Sequence, residues 1–309
     1  MFGCAGPPYV WGMTNPAIEL SKALASAVEG AENSVVRVDG GRRRSGSGTV
    51  YSDDGLIVTA LHLLDREEGI EVFDGSRAVA AALAGADPGL DLAVLRAEKS
   101  VGKAARFGPE GELRRGALAL SVSRPGRSAR AALGVVSSLA GSWRGPRGSR
   151  LEHYVELSLP LETGFSGSLI VDAAGQGVGV GIGGILRATP LVLTQATLER
   201  TVGSILAHGR VRRAYLGGSF QPVRLPATVA DRAGQRAALI VLGLEPGGPS
   251  EQAGLQLGDV VLQAAGARLS SLEELFGALE EERIDQPLEL LLLRGGNETR
   301  LTVTPKARP

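Results

Sequence analysis

Between Ser34 and Thr194 the chain runs as short apolar stretches, each cut off within a few residues by glycine or charged turn residues. Stretches this short leave no room for long amphipathic helices and read instead as strands. Twelve are predicted, in two groups of six. The first group is Val35–Val38, Gly48–Ser52, Leu56–Thr59, Ile70–Phe73, Val79–Leu83 and Leu92–Leu95. The second is Ala117–Val122, Ala131–Ser137, Tyr154–Leu157, Leu169–Val171, Val178–Ile182 and Leu191–Thr194. Closing each group on itself removes the exposed sheet edges, so the pattern predicts two β-barrels in tandem.

Helices are expected on both sides of this region. Asn15-Pro16 has the form of an N-cap followed by proline at the first helical position, ahead of a face carrying Leu20, Leu24 and Val28. Glu199 to His208 places Val202, Ile205 and Leu206 together, with Gly209 as its C-cap. A polar link at 209–213 leads into a unit at 214–305. That unit has predicted strands Leu216–Gln221, Ala238–Leu242, Val260–Ala264, Leu288–Leu293 and Arg300–Val303. Helices at Ser250–Ala253 and Ser271–Glu282 complete a small, partly open barrel. The fold class is mainly β, with a tail at 1–15 and a first domain at 16–208.

Composition narrows the function. With 33 basic and 33 acidic side chains the net charge is zero, which argues against a nucleic-acid partner. Cys4 is the only cysteine, so no internal disulfide can form and no zinc site can be built on thiolates. No apolar run reaches the roughly 18 residues of a membrane span, and no Gly-rich phosphate loop with lysine is present. The reading therefore assigns no metal and no cofactor, and no dependence on nucleotide. Residues 1–16 lack lysine, arginine and a continuous apolar core, so they do not read as a secretory signal. As written the chain is expected in the cytoplasm. It would be periplasmic or envelope-associated if a signal precedes it, and "MFGC" has the look of a lipoprotein cleavage remnant.

The chemistry rests on few residues. Only His62, His153 and His208 are histidines, and histidine is the natural general base near neutral pH. His208 falls at a helix C-terminus and His153 beside surface charges, whereas His62 follows the buried stretch "GLIVTAL". In "LETGFSGSLIV" Ser166 stands between two glycines, either as a nucleophile or as part of a tight turn. Ser168 occupies the position where an α/β-hydrolase elbow needs glycine, and the alternating strands and long helices of that fold are missing. Asp91, taken alone, reads as a turn or strand-end acid. Together His62, Asp91 and Ser166 occur in the chymotrypsin order, two in the first strand group and one in the second.

"GSGTVYSDDGLIVTALHLLD" (Gly46–Asp65), "DLAVLR" (Asp91–Arg96), "LGVVSSL" (Leu133–Leu139) and "TGFSGSLIVDAAGQGVGV" (Thr163–Val180) resemble the protease domain of the HtrA/DegP family. "GRVRRAYLG" (Gly209–Gly217) and "EPGGPSEQAGLQLGDVVLQAAG" (Glu245–Gly266) resemble that family's junction and PDZ domain. The resemblance implies a chymotrypsin-like double β-barrel followed by a small PDZ-like β-barrel with two helices. It implies Ser166 as nucleophile, His62 as general base and acid, and Asp91 as the group that orients the imidazole. The amides of Gly164 and Ser166 would form the oxyanion hole.

The sequence departs from the family pattern at Leu61 before the histidine, at Thr163 and Phe165 before the serine, and at Ser168-Leu169 after it. These departures motivate the alternative of a catalytically degenerate, chaperone-like peptide binder. The stretch Ile185–Thr194 carries no acid for a pocket floor, so small or aliphatic residues are expected at the cleavage site, and Arg187 is given no role. In the second domain Tyr215, Leu216, Gly217 and Gly218 would hold a peptide C-terminus. Leu275 and Leu279 would face it, as two of the apolar set Leu272, Leu275, Phe276 and Leu279. Expected partners are unfolded protein substrates and peptide C-termini. Phe2, Tyr9 and Trp11 in the tail suggest an interface, and the family resemblance implies a homotrimer. "GRRRSG" (Gly41–Gly46) reads as a solvated loop.

Overall fold

The computed structural model describes residues 15–41, 45–109, 113–145, 148–159, 162, 164–186 and 189–307. The tail aromatics, Cys4, Thr163 and Arg187 lie outside these residues, as does the whole arginine run after Gly41.

All twelve expected strands form, because each apolar stretch is bounded by a turn that its glycines and aspartates favour. The first six are β1 (Val35–Asp39), β2 (Gly46–Val50), β3 (Leu56–Ala60), β4 (Ile70–Phe73), β5 (Ala78–Asp87) and β6 (Leu92–Ala97). They close a barrel in the order β1-β2-β3-β6-β5-β4. Val36, Val38, Ile57, Ile70, Val72 and Leu95 fill its interior with aliphatic side chains. The second six are β7 (Leu118–Ser123), β8 (Arg130–Ala140), β11 (Tyr154–Leu157), β12 (Leu169–Asp172), β13 (Gly177–Ile182) and β14 (Leu191–Thr194). They close in the order β11-β14-β13-β12-β7-β8. Between β8 and β11 a short hairpin of β9 (Trp143–Arg144) and β10 (Arg150–Leu151) was not expected from the sequence. Two-residue strands carry no periodicity.

Helix α1 (Pro16–Ala31) starts as expected, with the Asn15 side chain accepting from the Ala17 amide. Its buried face is corrected. Ala27 and Ala31 are the buried residues, Leu24 and Val28 pack beside them, and Leu20 is 46% exposed. The helix meets β7 and β12 closely, and only alanine-sized side chains fit at that approach. Helix α2 (Gln195–His208) begins four residues before the expected Glu199. Thr197 and Thr201 are on its buried face, and their hydroxyls hid the apolar period.

The C-terminal region forms β15 (Ala214–Tyr215), β16 (Gly218–Arg224), α3 (Ala227–Ala233), β17 (Ala237–Leu244) and α4 (Pro249–Gln252). It continues with β18 (Val260–Ala264), β19 (Ala267–Arg268), α5 (Leu272–Ala278), β20 (Leu288–Arg294), β21 (Asn297–Val303) and β22 (Lys306–Ala307). The expectation of two helices is corrected to three. The seven residues of α3, between Pro226 and the left-handed Gly234, are too few to show a helical period. Helix α5 opens with a capping box of Ser271 and Glu274 but stops at Ala278, and a 3₁₀ turn covers Glu281–Arg283. The main sheet is open, in the order β16-β17-β18-β20-β21, with β19 on β18. Its core gathers Leu239, Val241, Leu275, Leu288, Leu290 and Leu292.

By contact density the chain divides into two compact units. One comprises the described residues up to Leu83 with Val94–Leu139 and Val155–Gln195. The other comprises Ala84–Ala93, Ala140–Tyr154 and the residues from Ala196 onward.

Candidate active site

Ser166 lies in a turn that leads directly into β12, and neighbouring contacts fix that turn on both sides. Phe165 is 4% exposed and points into the core of the second barrel with Leu157, Ile170 and Val192. Ser168 is fully buried, with its hydroxyl 2.9 Å from that of Ser121. The Phe165, Gly167 and Ser168 amides donate to the carbonyls of Glu162, Gly181 and Phe165 at 3.1, 2.8 and 2.9 Å. Among the described residues no acceptor meets the amides of Gly164 and Ser166. Gly164 has a φ of 95°, in the region that favours glycine.

The Ser166 hydroxyl oxygen accepts from the Gly183 amide at 3.1 Å. That bond uses a lone pair and leaves the hydroxyl proton available to a base. Gly167, next to it, is seated on the first barrel. Its carbonyl accepts from Thr49 Oγ1 in β2 at 3.0 Å, and its φ is 84°. A Cβ there would overlap the Ser47 carbonyl and lie 3.1 Å from Thr59 Oγ1 in β3.

Strand β3 continues into a 3₁₀ turn, Leu61–Leu63, that carries His62. The turn is pinned on its C-terminal side: a Cβ on Gly46 would overlap Leu63, and one on Gly40 would overlap Leu64. His62, just ahead of these anchors, is exposed. The loop of Ser166 and the turn of His62 are therefore both fastened to β2 and β3. Leu61 is half-buried, and its carbonyl accepts from the Leu64 amide at 3.0 Å.

Asp91 falls in the other compact unit, at the end of the turn before β6. It is 9% exposed with a φ of 52°, a conformation aspartate tolerates better than most residues. Its neighbour Asp87 has a structural role that the sequence did not reveal. It accepts from Arg213 in the link at 3.0 and 3.2 Å and from the Gly89 amide at 2.9 Å. His208 ends α2 and lies 3.5 Å from Glu281; His153 is exposed.

In the second unit a cavity of about 300 Å³ is lined on its apolar side by Tyr215, Leu216, Phe220, Leu275, Phe276 and Leu279. Leu216, Leu275 and Leu279 are core residues that also reach this cavity. Gly217 has a φ of 72°, and the carbonyls of Leu216 and Gly217 accept from the amides of Ser250 and Glu245. Strand β16 beside it is an edge strand, paired only with β17, and it contains Pro222. At one end of the cavity Arg144 pairs with Glu280, and Arg150 does so at 3.3 Å. Burial, and then the charges of Arg150, Arg200 and Arg213, push the Arg144 guanidinium below its ordinary value, against the opposing charge of Glu152. Asp259 of "AGLQLGD" is 2% exposed and held by Arg294 at 2.7 Å, which gives that stretch a structural role.

Two family models match: a trypsin-like peptidase domain over residues 46–180 and a PDZ domain over 214–304. Among curated proteins, the chain is 26% identical over 281 residues to a DegP-like periplasmic serine endoprotease of Marinomonas sp. (strain MWYL1). That match covers 87% of this chain and 58% of the relative. It is 28% identical to the corresponding Bartonella henselae protein, covering 85% of this chain and 53% of the relative. The chain thus spans little more than half the length of these relatives. Among solved structures it is similar to the HtrA-type protease AlgW with tripeptide, at 26% identity and a TM-score of 0.74, covering 93% of this chain and 97% of that one. A serine endoprotease from Yersinia pestis, at 23% identity, shares the fold with a TM-score of 0.74, covering 93% of this chain and 98% of that one.

Proposed function

We propose that this chain, which belongs to the HtrA/DegP family of trypsin-like serine proteases with a PDZ domain, is an ATP-independent endopeptidase that cleaves unfolded or damaged proteins. The observation that carries the reading is the Ser166 turn. Its hydroxyl oxygen is held by Gly183 at 3.1 Å, beside two amides that meet no acceptor among the described residues. In the proposed reaction His62 takes the hydroxyl proton as Ser166 Oγ bonds to the scissile carbonyl carbon. The carbonyl oxygen becomes an oxyanion between the amides of Gly164 and Ser166. Asp91 orients the imidazole and stabilises the imidazolium. The imidazolium then protonates the leaving nitrogen, the C–N bond breaks, and water hydrolyses the acyl-enzyme by the same relay.

The departures at Phe165, Ser168 and Leu169 do not favour the degenerate reading. The side chains of Phe165, Ser168 and Leu169 are buried in the body of the protein rather than in the turn's open side. Peptide C-termini are assigned to the second domain, where an incoming strand would extend the sheet at β16 beside the apolar cavity. A homotrimer is assigned to the N-terminal region, where Ile18 and Leu20 of α1 are 52% and 46% exposed. An envelope compartment follows the periplasmic naming of the relatives. Among the described residues no helix is long and apolar enough to cross a membrane.

The test is to treat the purified protein and Ser166→Ala with a fluorophosphonate probe and to follow casein cleavage in the same samples. Light scattering on them reads the trimer. Labelling and cleavage should both vanish in the variant. A folded wild-type protein that neither labels nor cleaves, even with a hydrophobic C-terminal peptide added, refutes the protease and leaves the peptide binder.

A further inference from the structure

Arg124 immediately follows β7 and is only 7% exposed, yet among the described residues no carboxylate pairs with it. A guanidinium keeps its charge at any working pH, so a buried one has to be met by fixed dipoles. Here they are three carbonyls: Nε donates to Val35 at 3.0 Å, Nη2 to Glu32 at 3.0 Å and Nη1 to Arg127 at 3.1 Å. Glu32 and Val35 bracket the 3₁₀ turn by which α1 runs into β1, where helix-end carbonyls carry partial negative charge. The Arg124 amide donates to Ser47 Oγ at 2.9 Å, and Ser47 is wholly buried in β2. The Arg124 side chain thereby ties the exit of α1 to the β7–β8 turn, and its backbone amide holds strand β2.

The next residue connects this tie to the chemistry. A Cβ on Gly164 would lie 2.9, 2.9 and 3.0 Å from the Cβ, Cγ and Cδ of Pro125, so the proline ring packs closely on the glycine two residues before Ser166. Pro125 cannot move independently of Arg124, because its φ is locked and its neighbour is bonded on all sides. We propose that Arg124 is a positioning residue for the oxyanion hole: it anchors Pro125, whose ring sets the direction of the Gly164 amide. This inference rests on the protease reading above.

The experiment compares the wild-type protein with Arg124→Lys, Pro125→Ala and the double variant, using a fluorophosphonate to separate the maximal labelling rate from the probe's binding constant. Lysine keeps the charge but is a point donor that cannot span three carbonyls. Displacing a transition-state donor by a fraction of an ångström is expected to slow labelling by about 10–100-fold. The binding constant should stay within about threefold of wild type, and casein cleavage should fall in parallel. Because the arginine acts through the proline, the double variant should be no slower than Arg124→Lys alone.

Labelling of folded Arg124→Lys within twofold of wild type overturns the proposal, as does a double variant in which the two losses multiply. If Arg124→Lys fails to fold, Pro125→Ala leaves the carbonyl network intact and gives the same reading. A wild-type protein that does not label refutes the protease, and hydrogen exchange then decides the positioning role. The Phe165, Gly167 and Ser168 amides should exchange about tenfold faster in Arg124→Lys or Pro125→Ala while β2 and β12 are unchanged. Equal exchange in that loop overturns it.

Discussion

Replacing Gly167 by alanine tests how Ser166 is seated. At a φ of 84° an alanine costs about 1–2 kcal/mol in backbone strain. Its Cβ would overlap the Ser47 carbonyl oxygen and lie 2.8 Å from the carbonyl carbon. A relaxed carbon–carbon contact needs about 3.5 Å, so the loop must retreat by roughly 0.7 Å or more. Neither obstacle can yield, because Ser47 and Thr59 are fully buried in neighbouring strands. The retreat stretches the bond from Thr49 Oγ1 and carries Ser166 away from the turn of His62. With overpacking of about 1–3 kcal/mol and a lost hydrogen bond of about 1 kcal/mol, the variant should be about 3–6 kcal/mol less stable. That is comparable with part of a domain's usual 5–15 kcal/mol, so the fold should survive at low temperature.

A shift approaching 1 Å in a reacting group is expected to lower the labelling rate by about 10². The assay is fluorophosphonate labelling at a temperature where circular dichroism shows native structure. Thr49→Val serves as the control that removes the hydrogen bond without the clash. It should lose about 1 kcal/mol and label within about tenfold of wild type. Wild-type labelling by folded Gly167→Ala would refute the reasoning, since the serine would then not depend on this seat.

Two further outcomes follow from the same packing. Phe165→Ala should destabilise the second barrel by about 3–5 kcal/mol, read by denaturant unfolding, whereas Phe165→Leu should keep labelling within about threefold; loss of labelling by a folded leucine variant would put Phe165 in the site after all. For Asp74, partial burial disfavours the charged form. It is outweighed by the Ser76 hydroxyl, the amides of Arg77 and Ser76, and the Arg77 charge, and its pKa falls from 3.8 to about 2. A depressed carboxyl stabilises the fold above its unfolded pKa, and that contribution is lost as pH falls through its folded value. The stability gap between wild type and Asp74→Asn should therefore be constant from pH 5 to 7 and close between about pH 4 and 2, measured by urea unfolding; a gap that persists at about pH 2 would contradict the assignment.

The twelve barrel strands were legible because their signals are local: alternating aliphatics, turn glycines and aspartates, all within a few residues. The early start of α2 was not legible, since Thr197 and Thr201 are buried but polar. Nor was α3, whose seven residues span barely two turns. At the proposed site, Ser166 and His62 were singled out from residue type and order. The sequence raised a doubt about Phe165 that it had no means to resolve, because a residue beside a nucleophile can point either way. Packing sends it into the second barrel.

Sequence alone determined the class of fold, the order of histidine, aspartate and serine, and the glycines at 164 and 167, because each depends on what one residue can do by itself. Tertiary structure decided that Asp87 rather than a solvent-facing acid holds Arg213, that Gly167 has no room for a Cβ, and that Arg124 is buried with no carboxylate paired to it among the described residues. The physical reason lies in the partners. Arg124 is satisfied by the carbonyls of Glu32, Val35 and Arg127. Every residue has a carbonyl, so such contacts leave no mark on the sequence, and only folding shows which of them face a buried charge.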